Sequence, residues 1–191
     1  MMTTTKILAF SGSAREASWN KKLCRVAAQG AEKAGAVVTV IDLKDFDLPI
    51  YNGDFEDTHG VPENAQKLHR LFSDHQGLLI SSPENNGSFS SLLKNTFDWI
   101  SRVESDESPF INKVAVIMSA SPGALGGLRG LAQLRTLLGN IGFIVLPKQN
   151  AVSKAHEAFE ADGRLKDAKL QTTIEGLGAE VVRVTTALNK Q

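Results

Sequence analysis

Short apolar runs alternate with longer helical periodicities along this chain, and that alternation limits its possible folds more than any other feature. Each run is followed by apolar residues at spacings of three and four, which share one face of a helix. Runs that are apolar throughout are typical of strands whose sheet is covered by helices on both faces. The predicted strands are Ile7–Phe10, Val37–Leu43, Leu78–Ile80, Val114–Met118 and Phe143–Leu146.

Five helices are predicted to alternate with these five strands, so the expected architecture is an open, doubly wound parallel α/β sheet. The length of 191 residues suits one domain with a complete hydrophobic core, and residues 1–191 are therefore predicted to form a single domain. The apolar stripes of the helices begin near Leu23, Ala65, Leu92, Leu128 and Leu170.

Charge and cysteine content argue against several functions. Lys and Arg number 21, as do Asp and Glu, so we expect neither nucleic acid nor a membrane surface as the main partner. The single cysteine, Cys24, excludes an intrachain disulfide. Because no signal peptide is recognisable, a cytoplasmic location is expected. The four histidines have no metal-ligand spacing, so no metal site is predicted.

The segments that follow three of the predicted strands are small, polar and rich in glycine. We call them the first loop (Ser11–Asn20), the second loop (Pro83–Ser88) and the third loop (Ser119–Gly123, continuing to Gly126 and Gly127). Ligands of such sheets bind at the carboxyl ends of the strands, which lie along one edge. The three loops are therefore expected to meet at a binding site.

The first loop has the donors of a phosphate site. It lies just before a helix N-terminus, where unpaired N–H groups and the helix dipole favour an anion. Neither G-x-x-x-x-G-K-[ST] nor G-x-G-x-x-G is present, which argues against a triphosphate or a dinucleotide. A plain turn with a serine cap explains this composition equally well. The candidate donors are Ser11, Ser13, Arg15, Ser18 and Asn20.

The second and third loops are suited to a flat ligand. Pro83 fixes the backbone, and Glu84–Gly87 expose main-chain groups that can bond the edge of a ring. The glycines of the third loop permit close approach of a backbone. Taken alone, the second loop is better explained as an ordinary strand-to-helix loop, and the third can be explained as a flexible turn before a helix. Three loops on one edge together predict a planar ligand that carries a phosphate.

Four motifs, in order, resemble those of the NADPH-dependent FMN reductase family over roughly residues 6–150. Residues 12–20 match G-S-x-R-x-x-S-x-N, and residues 83–99 resemble P-E-Y-N-x-S…L-K-N-x-x-D-W. Residues 48–56 and 126–135 resemble L-P-x-Y-x-x-D-x-E and G-G-x-R…L-R.

Two departures from these motifs stand in the second block. Asn85 occupies the position of the family's tyrosine, which removes an aromatic side chain from the expected ring edge. Ser90 and Ser91 replace a Pro-Gly pair, which predicts that the following helix begins with a serine cap.

The resemblance implies a flavodoxin-like sheet of strand order 2-1-3-4-5 with a bound FMN. It assigns the FMN phosphate to the first loop, the isoalloxazine to the second, and the region of the ring or ribityl chain to the third. The residues so implied are Ser13, Arg15, Ser18 and Asn20 for the phosphate; Pro83, Glu84, Asn85 and Asn86 for the ring; and Ser119 and Ser121 near the ring or the ribityl chain.

The same resemblance implies an enzyme. Hydride from NADPH or NADH passes to N5 of the flavin and then to a small-molecule acceptor such as a quinone, a flavin, an azo compound or chromate. No side chain is assigned as the catalyst, since the cofactor carries the chemistry. The family forms homodimers or homotetramers, with the Tyr51 loop and the Arg129 helix near subunit contacts.

Two other classes stay open from the sequence. One is a non-enzymatic electron carrier of the flavodoxin kind, against which the neutral net charge argues. The other is a domain that has lost its flavin, which the departure at Asn85 keeps open.

Overall fold

A parallel sheet forms the centre of the computed structural model, which describes residues 4–189. Its strand order is β2-β1-β3-β4-β5, with β6 also beside β4. This order confirms the predicted doubly wound, flavodoxin-like sheet. The predicted domain, 1–191, extends beyond the described residues by three at its start and two at its end. The strands are β1 (Lys6–Ser11), β2 (Val37–Asp42), β3 (Gly77–Ser81), β4 (Val114–Ala120), β5 (Ile144–Val145) and β6 (Asn150–Val152).

Two short strands occupy the edge position where the sequence predicted one, so the predicted five-strand order is kept and the described residues add a sixth strand beside β4. β5 pairs with Val114 and Ala115 at the start of β4, whereas β6 pairs with Met118–Ala120 at its end. Pro147 lies between β5 and β6. A proline has no N–H group with which to continue a strand ladder. The predicted strand 143–146 therefore shortens, and the chain returns to the sheet three residues beyond the proline.

The five predicted helices are present, and residues 4–189 contain two further α-helices outside the predicted stripes. One of these is preceded by Asn52, whose side chain accepts a hydrogen bond from the N–H of Asp54. It has no buried residue, so it has no apolar periodicity to reveal it. Within residues 4–189, no helix has the length and hydropathy to cross a bilayer. The helices are α1 (Trp19–Lys33), α2 (Gly53–His59), α3 (Glu63–Asp74), α4 (Ser91–Ile100), α5 (Leu128–Asn140), α6 (Ala155–Ala158) and α7 (Ala168–Leu188).

The hydrophobic core consists of two layers, one on each face of the sheet. Ile7 and Ala9 of β1 belong to the layer that includes α1 and α7. Leu8 and Phe10 belong to the opposite layer, with α3, α4 and α5. Because successive residues of a strand point to opposite faces, burial of both faces requires an apolar residue at every position. This explains why the strand segments are continuous apolar runs.

The register of the central strands places their carboxyl ends side by side. Ser11 of β1 lies opposite Ser81 of β3, and Ser81 lies opposite Met118 of β4. β4 continues for two more residues, Ser119 and Ala120. The three loops therefore leave the sheet from neighbouring strands at one edge, as the topology predicted.

Candidate functional site

A pocket of about 470 Å³ lies between the three loops at the carboxyl edge of the sheet. All three loops contribute to its wall, so the predicted convergence of these segments is observed. Of the predicted site residues, those in the wall are Ser13, Arg15, Ser18, Asn20, Pro83, Glu84, Asn85 and Ser121. The predicted residues outside this wall are Ser11, Asn86, Gly87 and Ser119.

The first loop presents hydrogen-bond donors to this pocket. Ser18 is the N-cap of α1, and its Oγ accepts a bond from the N–H of Lys21 at 3.4 Å. The backbone N–H groups of Ser13 and of residues 16–20 have no acceptor within residues 4–189. Arg15 is exposed, and its guanidinium has no carboxylate partner in that range. Free N–H groups, hydroxyls and one cation at a helix N-terminus are the donor set that a phosphate monoester requires.

Asn20 lies in the wall, but its side-chain amide is bound to the protein. Its Nδ2 donates to the carbonyl of Ala120 at 2.9 Å. Its Oδ1 accepts from the Oγ of Ser81 at 2.9 Å and from the N–H of Ala120 at 2.9 Å. The amide therefore joins the start of α1 to the ends of β3 and β4. The sequence could not reveal these bonds, because their partners lie 61 and 100 residues away along the chain.

Ser90 joins the first loop to the helix that follows the second loop. Its Oγ donates to the carbonyl of Gly12 at 2.6 Å and accepts from the N–H of Leu93 at 3.2 Å. The second bond caps α4, so the predicted serine cap is confirmed. Gly12 in turn donates its N–H to the carbonyl of Ser81 at 2.9 Å. The backbone of the first loop is thus held from two sides.

The second loop ends in a tight turn that carries two of the predicted residues away from the pocket. Asn85 and Ser88 exchange backbone hydrogen bonds, at 2.8 Å and 3.0 Å. Asn86 and Gly87 form the tip between them with φ of 52° and 82°. Asn-Gly is the pair that favours such a turn, because both positions require a positive φ. Pro83, Glu84 and Asn85 remain at the pocket.

The carboxylate of Glu84 is bonded to the first turn of α5. Oε2 accepts the backbone N–H groups of Arg129 at 3.1 Å and Gly130 at 3.2 Å. Oε1 accepts from the guanidinium of Arg129, at 2.8 Å from Nε and 2.7 Å from the second nitrogen. Burial alone raises the pKa of Glu84, but these bonds outweigh it and hold the pKa below its ordinary value. The side chain is therefore a charged carboxylate at neutral pH.

The third loop contributes one predicted serine to the wall and buries the other. The N–H of Ser121 donates to the carbonyl of Val152 in β6, at 3.1 Å, and its side chain lies at the pocket. Ser119 is fully buried in β4. The Oγ atoms of Ser119 and Ser11 have no hydrogen-bond partner within the described residues. Both serines therefore lie beneath the loops, where small side chains leave room for the backbone above them.

A wider and more open pocket of about 760 Å³ lies on the other side of the second loop. Glu84, Asn85, Ser90 and Ser91 belong to both pockets, so the two are adjacent. Lys94 of α4 also lines the wider pocket, and it pairs with Asp98 at 2.6 Å. The sequence indicated no second pocket, because residues from two elements form it.

Comparison with known proteins identifies the family. The model of the NADPH-dependent FMN reductases matches residues 5–157. The chain belongs to this family. An NAD(P)H-dependent FMN reductase of Pseudomonas aeruginosa is 34% identical over 178 residues, which are 92% of each chain. A probable NADPH:quinone oxidoreductase of Oryza sativa subsp. japonica is 31% identical, across 90% of this chain and 84% of its own.

A solved structure agrees with the family match. FerB, a flavoenzyme NAD(P)H:(acceptor) oxidoreductase from Paracoccus denitrificans, superposes with a TM-score of 0.80 at 27% identity, over 95% of this chain and 97% of its own. The predicted FMN reductase family, flavodoxin-like fold and enzyme class are confirmed. As a member of this family the chain is an oxidoreductase that depends on FMN and NAD(P)H. The comparisons give no support to the alternative of an electron carrier.

The pocket wall also contains residues that the sequence patterns did not mark as ligand-binding. They share an apolar or small side chain, and they form the wall between the polar groups. Six of them lie in the first and third loops, whose expected convergence was their only signal, whereas Ser90, Ser91 and Leu92 lie at the start of α4. The missed residues are Gly12, Ala14, Ala17, Trp19, Ser90, Ser91, Leu92, Ala120 and Pro122.

Proposed function

We propose that the pocket between the three loops binds FMN, with its phosphate in the first loop and its ring against the second. The observation that carries this proposal is the set of free N–H groups at residues 13 and 16–20, beside the unpaired guanidinium of Arg15. Water can pair with these groups at the open edge of the sheet, but a phosphate satisfies several of them together and is also favoured by the helix dipole. The family model includes the whole first loop.

Each part of the wall has a distinct task in this proposal. The hydroxyls of Ser13 and Ser18 and the guanidinium of Arg15 hold the phosphate, while Pro83 and Asn85 line the ring. The third loop approaches the ring and ribityl chain through Ser121. Three predicted residues are buried at the carboxyl edge of the sheet and support the loops that carry these groups: Ser11, Asn20 and Ser119. Two others, Asn86 and Gly87, form the tip of the ring-facing loop.

When bound, FMN supplies the redox chemistry, because its ring accepts hydride from NAD(P)H and passes electrons to an acceptor. The protein orients the ring and leaves one side of the pocket open to small molecules. We propose quinones as the acceptor class, which the rice relative's name supports. The wider pocket beside the second loop is the place for nicotinamide and quinone in turn, with Asn85 and Lys94 as donors to polar groups. Free flavins, azo compounds and chromate are the other acceptors to compare.

The phosphate assignment is tested by comparing FMN with riboflavin, which lacks the phosphate. Arg15→Ala should raise the dissociation constant for FMN by about tenfold or more, because hydrogen bonds to charged groups contribute about 1.5–3 kcal/mol. The riboflavin constant should stay unchanged. Quenching of Trp19 fluorescence, at the pocket wall, measures both constants, since the only other tryptophan, Trp99, is buried in α4.

Arg25→Ala is the matched control, because Arg25 is an exposed arginine of α1 outside the pocket wall. It should leave both constants unchanged. An equal effect of Arg15→Ala on FMN and riboflavin would overturn the phosphate assignment, as would no effect on either.

The activity is tested with FMN-loaded protein, NADPH or NADH, and a quinone, ferricyanide or chromate. Because both substrates use the same open pocket in turn, we expect parallel lines in double-reciprocal initial-rate plots. Intersecting lines would show that nicotinamide and acceptor are bound together. Absence of quinone-dependent NAD(P)H oxidation would contradict the acceptor class.

We also propose that the enzyme works as a homodimer or homotetramer in a reducing cytoplasm. Ile50 is 87% exposed beside Tyr51, and Leu125 and Leu128 are about half exposed near α5. These side chains lie in the two segments that the family resemblance placed near subunit contacts. Light scattering on the purified protein measures the mass, and Ile50→Asp should shift it towards the monomer. A monomer at all concentrations would contradict this part of the proposal.

A further inference from the structure

The first turn of α5 has no cap of its own. Its N-cap position is Gly127, which has φ of 94° and no side chain to accept a hydrogen bond. A Cβ at this position would overlap the Oγ of Ser119, and the positive φ would strain any other residue. The N–H groups of Arg129 and Gly130 therefore have no acceptor within α5.

Glu84 supplies that acceptor from the second loop. One carboxylate oxygen accepts the N–H groups of Arg129 and Gly130, and the other accepts the Arg129 guanidinium. The side chain of Glu84 is only 9% exposed, whereas that of Arg129 is 68% exposed. A negative charge at a helix N-terminus is favoured by the helix dipole as well as by these bonds. Both oxygens of Glu84 are thus engaged within the protein.

The contact also joins the second loop to the body of the enzyme. The tip of the loop, from Asn85 to Ser88, is closed by its own turn, and the Glu84 carboxylate makes its charged attachment to α5. Gly130 lies so close that a Cβ there would be 3.1 Å from the carbonyl of Ser88. The position of the loop backbone therefore depends on where Glu84 holds it against α5.

We propose that Glu84 is a positioning residue for the flavin ring and not a ligand of the flavin. It fixes the ring-facing backbone of the second loop by capping α5, with Arg129 as its partner. This inference rests on the proposed function, since it presumes that the ring lies against the second loop. It changes the role that the family resemblance implied for Glu84, which was to line the isoalloxazine.

The experiment measures riboflavin and FMN binding in four proteins: wild type, Glu84→Ala, Arg129→Met and the double variant. Glu84→Ala should raise the dissociation constants of both flavins by about tenfold, because it loosens the ring end and leaves the phosphate end intact. Arg129→Met should weaken both flavins in the same direction. The double variant should bind no more weakly than Glu84→Ala, since the two residues act through one contact.

The conservative variant Glu84→Gln provides a rescue. Its amide oxygen can still accept an N–H of the α5 turn, so its dissociation constants should lie between those of the wild type and Glu84→Ala. The visible absorption spectrum of bound FMN reports the surroundings of the ring and should change in Glu84→Ala but not in Arg15→Ala. Circular dichroism identifies any variant that fails to fold. If Glu84→Ala does not fold, the flavin dissociation constants of Glu84→Gln and Arg129→Met test the inference.

Three results would overturn the inference. The first is unchanged flavin binding in both Glu84 variants. The second is additive losses in the double variant. The third is unchanged binding in Arg129→Met beside a loss in Glu84→Ala, because a direct flavin ligand would not depend on Arg129. Failure of the proposed function looks different: the wild type would bind neither flavin, or Arg15→Ala would not separate FMN from riboflavin.

Discussion

At the scale of the residue, Asn20 shows how one side chain can determine the shape of a binding edge. Its amide connects α1 with β3 and β4 through three hydrogen bonds, all of them buried. Loss of a buried partner costs more than a hydrogen bond contributes on average, because the remaining groups stay desolvated. Asn20 therefore stabilises the loop that surrounds the pocket before any ligand arrives.

Asn20→Ala should lower the free energy of unfolding of the flavin-free protein by about 2–4 kcal/mol. The substitution leaves the N–H and C=O of Ala120 without their partners in a buried position. Urea unfolding followed by circular dichroism measures the change. Asn140→Ala, at an exposed position of α5, is the control and should stay within about 0.5 kcal/mol of the wild type. Equal stability of the Asn20 and Asn140 variants would mean that Asn20 is no structural brace.

At the scale of the element, α7 determines where α1 lies. The two helices touch backbone to backbone: a Cβ at Gly30 would overlap the carbonyl of Glu175, and one at Gly178 would overlap the carbonyl of Ala27. Lys33 and Glu175 add an ion pair of 2.7 Å between the same helices. Since α1 begins at the first loop, its support by α7 bears on the pocket, although α7 follows the segment that the family model matches.

Gly178→Ala should destabilise the fold by about 2 kcal/mol or more, because a methyl group there forces α7 away from the backbone of Ala27. Gly176→Ala is the matched control in the same helix. Nothing lies within 4 Å of a Cβ at Gly176, so alanine should stabilise the helix by about 0.5–1 kcal/mol. Thermal and urea unfolding compare the two variants. A similar change in stability for both substitutions would contradict the close contact between α1 and α7.

At the scale of the whole molecule, ion pairs join elements that are distant in sequence. Lys21 of α1 bonds Asp42 at the end of β2 at 2.6 Å, just as Lys33 bonds Glu175 and Arg129 bonds Glu84. Burial by itself raises the pKa of Asp42, but Lys21 and the N–H of Lys44 hold it below its ordinary 3.8. The bond from Lys33 lowers the pKa of Glu175 below 4.5.

These lowered pKa values predict a loss of stability in acid. Between the lowered pKa and the ordinary value the unfolded chain binds more protons, so a falling pH favours unfolding. The contribution is complete above about pH 5 and is lost as the pH falls through the lowered values. Urea midpoints should fall as the pH is lowered from about 5 to about 3.5. Asp42→Asn should show a smaller fall, and a midpoint unchanged from pH 7 to 3.5 would contradict the prediction.

The sequence by itself determined the fold class, because continuous apolar runs and helical stripes are local patterns that burial on both sheet faces imposes. It also placed the three loops on one edge, since parallel strands that share a direction must end together. The motif at residues 12–20 and the serine cap at Ser90 are likewise local, and a short stretch of sequence is enough to recognise them. The family assignment followed from such stretches and is confirmed.

Only the tertiary structure decided what several of these polar residues contact. Asn20 has its partners on β3 and β4, and Glu84 has its partners 45 and 46 residues later in α5. The division of the edge strand into β5 and β6 also depends on tertiary contacts, because each strand pairs with a different half of β4. The three residues of β6 do not by themselves reveal this pairing. The residue type determines which hydrogen-bonding groups a side chain has. The folded structure determines which partners lie near those groups. For that reason the sequence indicates which segments meet at the pocket, whereas the contacts of their side chains follow only from the tertiary structure.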